Sequence, residues 1–281
     1  MLCKRYSALL LLCICAVQIS FAQLREITDS RNCDRACVLE RARELEYRKD
    51  YKGAIALLKH ALAEAQDDYK LHYELAVALI KGEDLARAQA HLISTIALMP
   101  NFAPPHNLLG RLVYKQNRTA SFMALCFYNL LVPQSAEAHR NFCYLRELSG
   151  RSVAGEQHTG PQAVFSPEGT HRKRANDFSA VDVILNAENS MNQPISADDP
   201  DYFLMRFNWF CKSLQKNATD QSGFFWKFYV PYFVDIYNRG YARAAVWILL
   251  DRSPKNVELA REIQRFKAWN RRYILKRLYR F

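Results

Sequence analysis

Residues 69–102 read YKLHYELAVALIKGEDLARAQAHLISTIALMPNF, and their spacing decides the fold class. Small residues fall where two helices must touch: Ala76 in the first half, Ala88 in the second, with Pro100 closing the unit. Leu75, Leu79, Leu92 and Ile96 form the apolar ridge around that contact. Lys81-Gly82-Glu83-Asp84 is the turn, with Gly82 expected to stop the first helix and Asp84 to cap the second.

The pattern recurs when the frame moves by a period of about 34 residues. Going back, Ala42, Leu45, Ala54, Leu58 and Ala61 take the matching places; going forward, Leu109, Gly110 and Val113 do. The third unit departs from the pattern, with Phe122 where a small residue belongs and Pro133 one residue early. Over residues 35–136 the chain resembles the tetratricopeptide repeat (TPR) family, which shows small residues at these two places and a Pro near the end of each unit. The usual aromatic near the start of each unit is replaced by Val38, His72 and His106. Periodicity alone predicts an all-α chain of stacked helical hairpins, followed by a C-terminal helical half. The resemblance adds a TPR-like α-solenoid, right-handed, with a concave groove that binds a protein or peptide. First-helix residues off the packing ridge would line that groove: Arg43, Tyr47, Tyr73, Glu74, Lys81, Asn107, Arg111, Tyr114 and Lys115. Tyr among Arg and Lys suits an extended or acidic peptide. The Lys/Asn clamp with which some members hold a chaperone's terminal carboxylate is absent, since Leu39, Arg43, Glu74, Pro104 and Leu108 stand at those places.

Met1 to Ala22 reads as a secretory signal peptide: basic Lys4 and Arg5, an apolar run from Ser7 to Ile19, then Ser20-Phe21-Ala22 before Gln23. An uncleaved anchor is the alternative. The Ala-Gln junction resembles that of Bacteroidota exported proteins, which places the mature chain in the periplasm or cell envelope. After cleavage an odd number of cysteines remains: Cys33, Cys37, Cys126, Cys143 and Cys211. Cys33 and Cys37 are one helical turn apart and could pair only if the helix frays there. Cys126 and Cys143 fall on adjacent predicted helices, either as a disulfide or as two buried small hydrophobes. The cysteines and histidines complete no ligand set, so neither a metal nor a cofactor is expected.

The composition gives domains at 1–22, 23–148, 149–176 and 177–281. Residues 149–176 are a Gly/Pro-rich linker carrying basic His171-Arg172-Lys173-Arg174. Phe224 to Tyr237, FFWKFYVPYFVDIY, reads as the core helix of the C-terminal half, with an exposed aromatic groove as the alternative. Tyr241-Ala242-Arg243-Ala244 echoes Leu85-Ala86-Arg87-Ala88, and Ser253-Pro254 echoes Met99-Pro100, which suggests a shortened hairpin of the same kind. The last helix carries an apolar stripe, Ile263, Phe266, Trp269, Tyr273 and Ile274, and no acid after Glu262. Its basic residues include Arg271, Arg272, Lys276 and Arg277, and the chain's net charge is +11. That face is either a solvated back or a contact for an anionic membrane or cell-wall polymer. Nucleic acid is set aside because an exported protein rarely meets it. No phosphate-cradling Gly loop, HExxH, GxSxG or CxxC occurs, so the reading is a non-catalytic binding scaffold.

Overall fold

The computed structural model describes residues 34–148, 175–182, 199–219 and 221–277. The segment 1–22, Cys33, the linker up to residue 174 with its basic cluster, and the side chain of Arg277 lie outside the described residues. Among those described, every regular element is a helix, and consecutive helices pack as hairpins. None is long and apolar enough to cross a membrane. The chain divides into two compact units at His91.

The first unit holds α1 (Arg35–Tyr47), α2 (Tyr51–Glu64), α3 (Tyr69–Lys81) and the start of α4 (Leu85–Leu98). Each of these helices begins at an aspartate. The backbone N–H of Cys37 donates to Asp34 at 2.9 Å, Gly53 to Asp50 at 2.9 Å, Lys70 to Asp68 at 2.9 Å and Arg87 to Asp84 at 3.2 Å. Such caps satisfy donors the helix start leaves open, each contributing about 1 kcal/mol. Ala42, Ala54, Ala76 and Ala88 are buried, as the small-residue pattern requires. The turns differ from expectation in one detail. Gly82 has φ −86°, and the left-handed residue is Glu83 at φ 63°, matched one repeat earlier by Lys49 at φ 63°. Asp84 and Asp50 then close each turn by donating N–H to Leu79 and Leu45 carbonyls at 2.9 and 2.8 Å. Gly82 serves packing instead: a Cβ there would come 3.3 Å from Cδ1 of Ile55.

The second unit holds the rest of α4, then α5 (Pro104–Val113), α6 (Arg118–Leu131), α7 (Ala136–Leu148), α8 (Pro200–Asn217), α9 (Phe224–Asn238), α10 (Ala242–Leu249) and α11 (Val257–Arg277). Its centre is α6, buried at every position from Thr119 to Leu130 and packed against α5, α7, α9 and α10. The broken third repeat has its cause here. Phe122, where the repeat wants a small residue, packs edge-on against Phe210 of α8 at 4.9 Å. Phe127 meets Phe228, Tyr229 and Tyr232 of α9 at centroid distances of 5.7, 5.5 and 4.8 Å. The second helix of this hairpin is therefore a core helix, and the aromatic stretch on α9 is what covers it. Close approach on the other side needs Gly110, since a Cβ there would sit 2.7 Å from Cδ2 of Leu125.

Residues 175–182 tie the hairpin to α9. Asn117 donates to the Asn176 carbonyl at 2.9 Å, Asn176 Oδ1 accepts the Phe225 N–H at 2.9 Å, and Phe178 stacks on Trp226 at 4.4 Å. Packing thus joins α5–α7 to the C-terminal helices, a grouping that differs from the composition boundary at 149–176. The echo between Tyr241–Ala244 and Leu85–Ala88 has a structural counterpart. Tyr241 donates N–H to the Ile236 carbonyl at 2.9 Å across Gly240 at φ 71°, the closure seen before α4, and Ala244 is buried like Ala88.

The cysteine reading is corrected. Cys126 and Cys143 form no disulfide; both are free. The two thiols face different surroundings. Cys126 is buried on α6 near Cys211 and Tyr232, where burial holds its thiol well above the usual range, while Cys143 is exposed. Cys37 is disulfide-bonded, and Cys126, Cys143 and Cys211, all free, are not its partners.

Candidate functional site

The residues expected to face a groove are distributed over both units, and each unit treats its share differently. In the first unit the charged members pair with each other or with a neighbour. Arg43 of α1 donates to Glu74 of α3 at 2.7 Å, and Lys81 of α3 donates to Glu46 of α1 at 2.6 Å. Arg35 reaches Asp68 at 3.1 Å, making a third rung between the same two helices. Glu46 is the buried end of its rung, with a side chain 6% exposed against 45% for Lys81, and its Oε1 accepts no hydrogen bond. Arg43 keeps its proton more firmly than usual because it donates to Glu74 and sits beside that carboxylate. Tyr73 is half-buried. Tyr47 is the open member of the set, 91% exposed where α1 ends. This face is a ladder of internal ion pairs with one uncovered aromatic ring, rather than a row of free cations.

In the second unit Arg111 and Lys115 are exposed and Tyr114 is half-buried. Tyr144 of α7 lies against them. Its ring meets Tyr114 edge-on at 5.2 Å and carries the Arg111 guanidinium 5.9 Å from its centroid. Asn107 is a correction. Expected on an exposed face, it is buried, because this turn of α5 is where the C-terminal aromatics close in: its neighbour His106 lies 5.8 Å from both Phe228 and Tyr229.

His72 and His106, which the resemblance puts in place of the family's packing aromatic, have a further role. His72 Nε2–H donates to the Gln66 carbonyl and His106 Nε2–H to the Pro100 carbonyl, each at 2.9 Å. In both cases the carbonyl lies six residues back, in the connection before the helix. The tautomer is thereby fixed, leaving Nδ1 as an acceptor in the neutral ring. His72 Nδ1 takes a hydrogen from His91 at 2.9 Å, and His106 Nδ1 takes the Tyr229 hydroxyl at 2.7 Å. Burial pushes His106 down to about 3 and the Tyr229 phenol well up, so this pair stays neutral. His91 is also held low, by burial first and then by His72, Lys59 and Arg87. Neither arrangement offers two free ring nitrogens to a metal, and no group of three or more metal-ligating side chains occurs among the described residues.

A cavity of about 410 Å³ opens in the second unit, lined by Asn129, Pro133 and Phe142 on one side and Leu249 and Leu250 on the other. His139 and Asp251 pair across it at 3.1 Å. The Ser135 carbonyl first, and then the Asp251 carboxylate, raise the imidazole's affinity for its proton. No sequence pattern marks this cavity, because its walls come from hairpins far apart in the chain. On α11, Arg271, Arg272 and Lys276 are exposed.

Residues 47–112 match the family model described as tetratricopeptide repeat. A stretch of the chain is 32% identical over 136 residues to "Protein FlbA" of Caulobacter vibrioides (strain ATCC 19089 / CIP 103742 / CB 15), covering 47% of this chain and 22% of that protein. The chain thus spans about a fifth of the length of this relative. The repeat hairpins built from Ala42, Ala54, Ala76 and Ala88 are, from residue 47 through α5, similar in sequence to tetratricopeptide repeats.

Proposed function

We propose that this chain is a non-catalytic adaptor of the bacterial cell envelope that binds a protein partner through its repeat hairpins. The match of residues 47–112 to tetratricopeptide repeats carries the reading, since such repeats generally mediate protein–protein interaction and are typically non-catalytic. The exposed ring of Tyr47 supports it. Aromatic residues are enriched at interface hot spots, where they supply large contact area, and this one sits beside a face whose charges are already ordered in pairs. The envelope location rests on the N-terminal sequence alone: basic Lys4 and Arg5 before the apolar run and Ala22-Gln23.

The test is crosslinking and pull-down from envelope extract, with the chain run beside a Tyr47→Ala/Lys115→Glu variant. Both positions are exposed, so the fold is expected to be retained. A protein captured by the parent and lost by the variant supports the reading. Equal capture by both chains, or capture of lipid and wall polymer alone, overturns it.

A further inference from the structure

The outer face of α11 combines two rows of cations with exposed hydrophobic side chains. The helix buries Leu259, Ile263, Phe266, Trp269, Tyr273 and Ile274. On the opposite side Val257, Gln264, Ala268 and Leu275 fall on one line at helical spacing, all exposed. Val257 is 68% and Leu275 52% exposed, among the few large hydrophobic side chains that the described residues leave in solvent. Along one flank of that line run Arg261, Arg265, Arg272 and Lys276; along the other run Lys267 and Arg271; all are exposed. Acids occur only near the start of the helix. They are Glu258 and Glu262, and Glu262 is engaged by Arg243 of α10 at 2.9 Å. Past Glu262 the chain carries no acid at all.

We propose that this face of α11 docks on an anionic phospholipid bilayer, lying in the plane of the headgroups. Cations on both flanks would meet lipid phosphates while Leu275 and Val257 enter the apolar boundary between them. A helix that served only to bury its apolar stripe would need neither the doubled row of cations nor exposed Val257, Ala268 and Leu275 between them. Lipid is chosen over nucleic acid because of Val257 and Leu275: a phosphate backbone is bound by charge and polar contacts and gains little from an exposed leucine. The inference goes beyond the repeat-binding reading and stands if that reading fails.

The full chain is mixed with sedimentable vesicles of phosphatidylcholine, alone or with phosphatidylglycerol, and in parallel with duplex DNA. The neutral vesicles also measure any binding by the apolar run at residues 7–19. The expected result is stronger partition onto the anionic vesicles, weakened by salt. It should fall about fivefold for each of Arg265→Gln, Lys267→Gln, Arg271→Gln, Arg272→Gln and Lys276→Gln. Leu275→Gln, which changes no charge, should lower vesicle partition severalfold and leave DNA binding untouched. All these side chains are exposed, so thermal unfolding of the variants should match the parent. Equal partition onto neutral and anionic vesicles, DNA bound more tightly than phosphatidylglycerol, or no effect of Leu275→Gln would each overturn the proposal.

Discussion

His72 and His106 occupy the same place in consecutive repeats and begin with the same contact, an Nε2–H bond to the carbonyl six residues back. They diverge at Nδ1. His72 is half-buried and meets another histidine; His106 is fully buried and meets Tyr229 of α9. The shared bond is local and fastens the connection between two hairpins. The differing bond depends on what packs over each hairpin: a solvated helix surface in one unit, an aromatic helix in the other. The same residue thus serves as a surface staple in one place and as a core pin in the other, and the neighbours decide which.

The largest expected difference comes from deleting both rings. His106→Ala leaves the Tyr229 hydroxyl and the Pro100 carbonyl buried without partners and opens a cavity, a loss of about 3 kcal/mol or more. His72→Ala frees groups that water can reach and should cost about 1 kcal/mol or less. Urea unfolding of the two variants measures both, and equal losses would remove the distinction. The pH dependence is the next effect. Unfolded, a histidine takes its proton near pH 6.5; folded, His106 does not until about 3. Its contribution is therefore fully present above about pH 6.5 and lost as pH falls, at about 1.4 kcal/mol per unit until about pH 3. His106→Gln should flatten that slope by one proton's worth in acid unfolding curves. If the parent and His106→Gln curves run parallel, the ring is not held neutral.

The first unit was legible in the sequence because its contacts are periodic. Ala42, Ala54, Ala76 and Ala88 marked the helix contacts, and all are buried. The cap read at Asp84 is one of four: Asp34 and Asp68, and Asp50 and Asp84, recur with the same period, and each caps a helix. The second unit was less legible for a physical reason. Phe122 breaks the repeat because it packs on α8, far along the chain, and no spacing rule encodes a partner at that distance. The candidate surface was legible only as a list of residues. Arg43 and Glu74 stand 31 positions apart, and sequence could not show that they bind each other. Nor could it show that Asn107 lies buried beside His106.

Smaller effects sharpen the view of the first unit as a face of paired charges. Lys81→Met leaves the Glu46 carboxylate, 6% exposed, without its cation. A loss of about 1 kcal/mol is expected, since Lys81 itself is half in water and the pair is partly screened. Arg43→Met should cost about 0.5 kcal/mol or less, because Arg43 is 63% exposed. Chemical denaturation resolves the order of the two, and a reversed order would show that burial of the acid does not govern the ladder.

Lys49 and Glu83 hold φ 63° with a side chain attached, whereas the turn after α9 has Gly240 at φ 71° with open space where a Cβ would stand. A left-handed residue with a Cβ costs about 1 kcal/mol relative to glycine. Against this, glycine gives up more freedom on folding. Glu83→Gly should therefore raise stability by about 0.5 kcal/mol, and Gly240→Ala should lower it by a similar amount even though nothing blocks the methyl group. A gain from Glu83→Gly beside a loss from Gly240→Ala would show that backbone conformation alone sets the requirement at these turns. If Gly240→Ala proved neutral, the glycine would be there for a reason other than its φ.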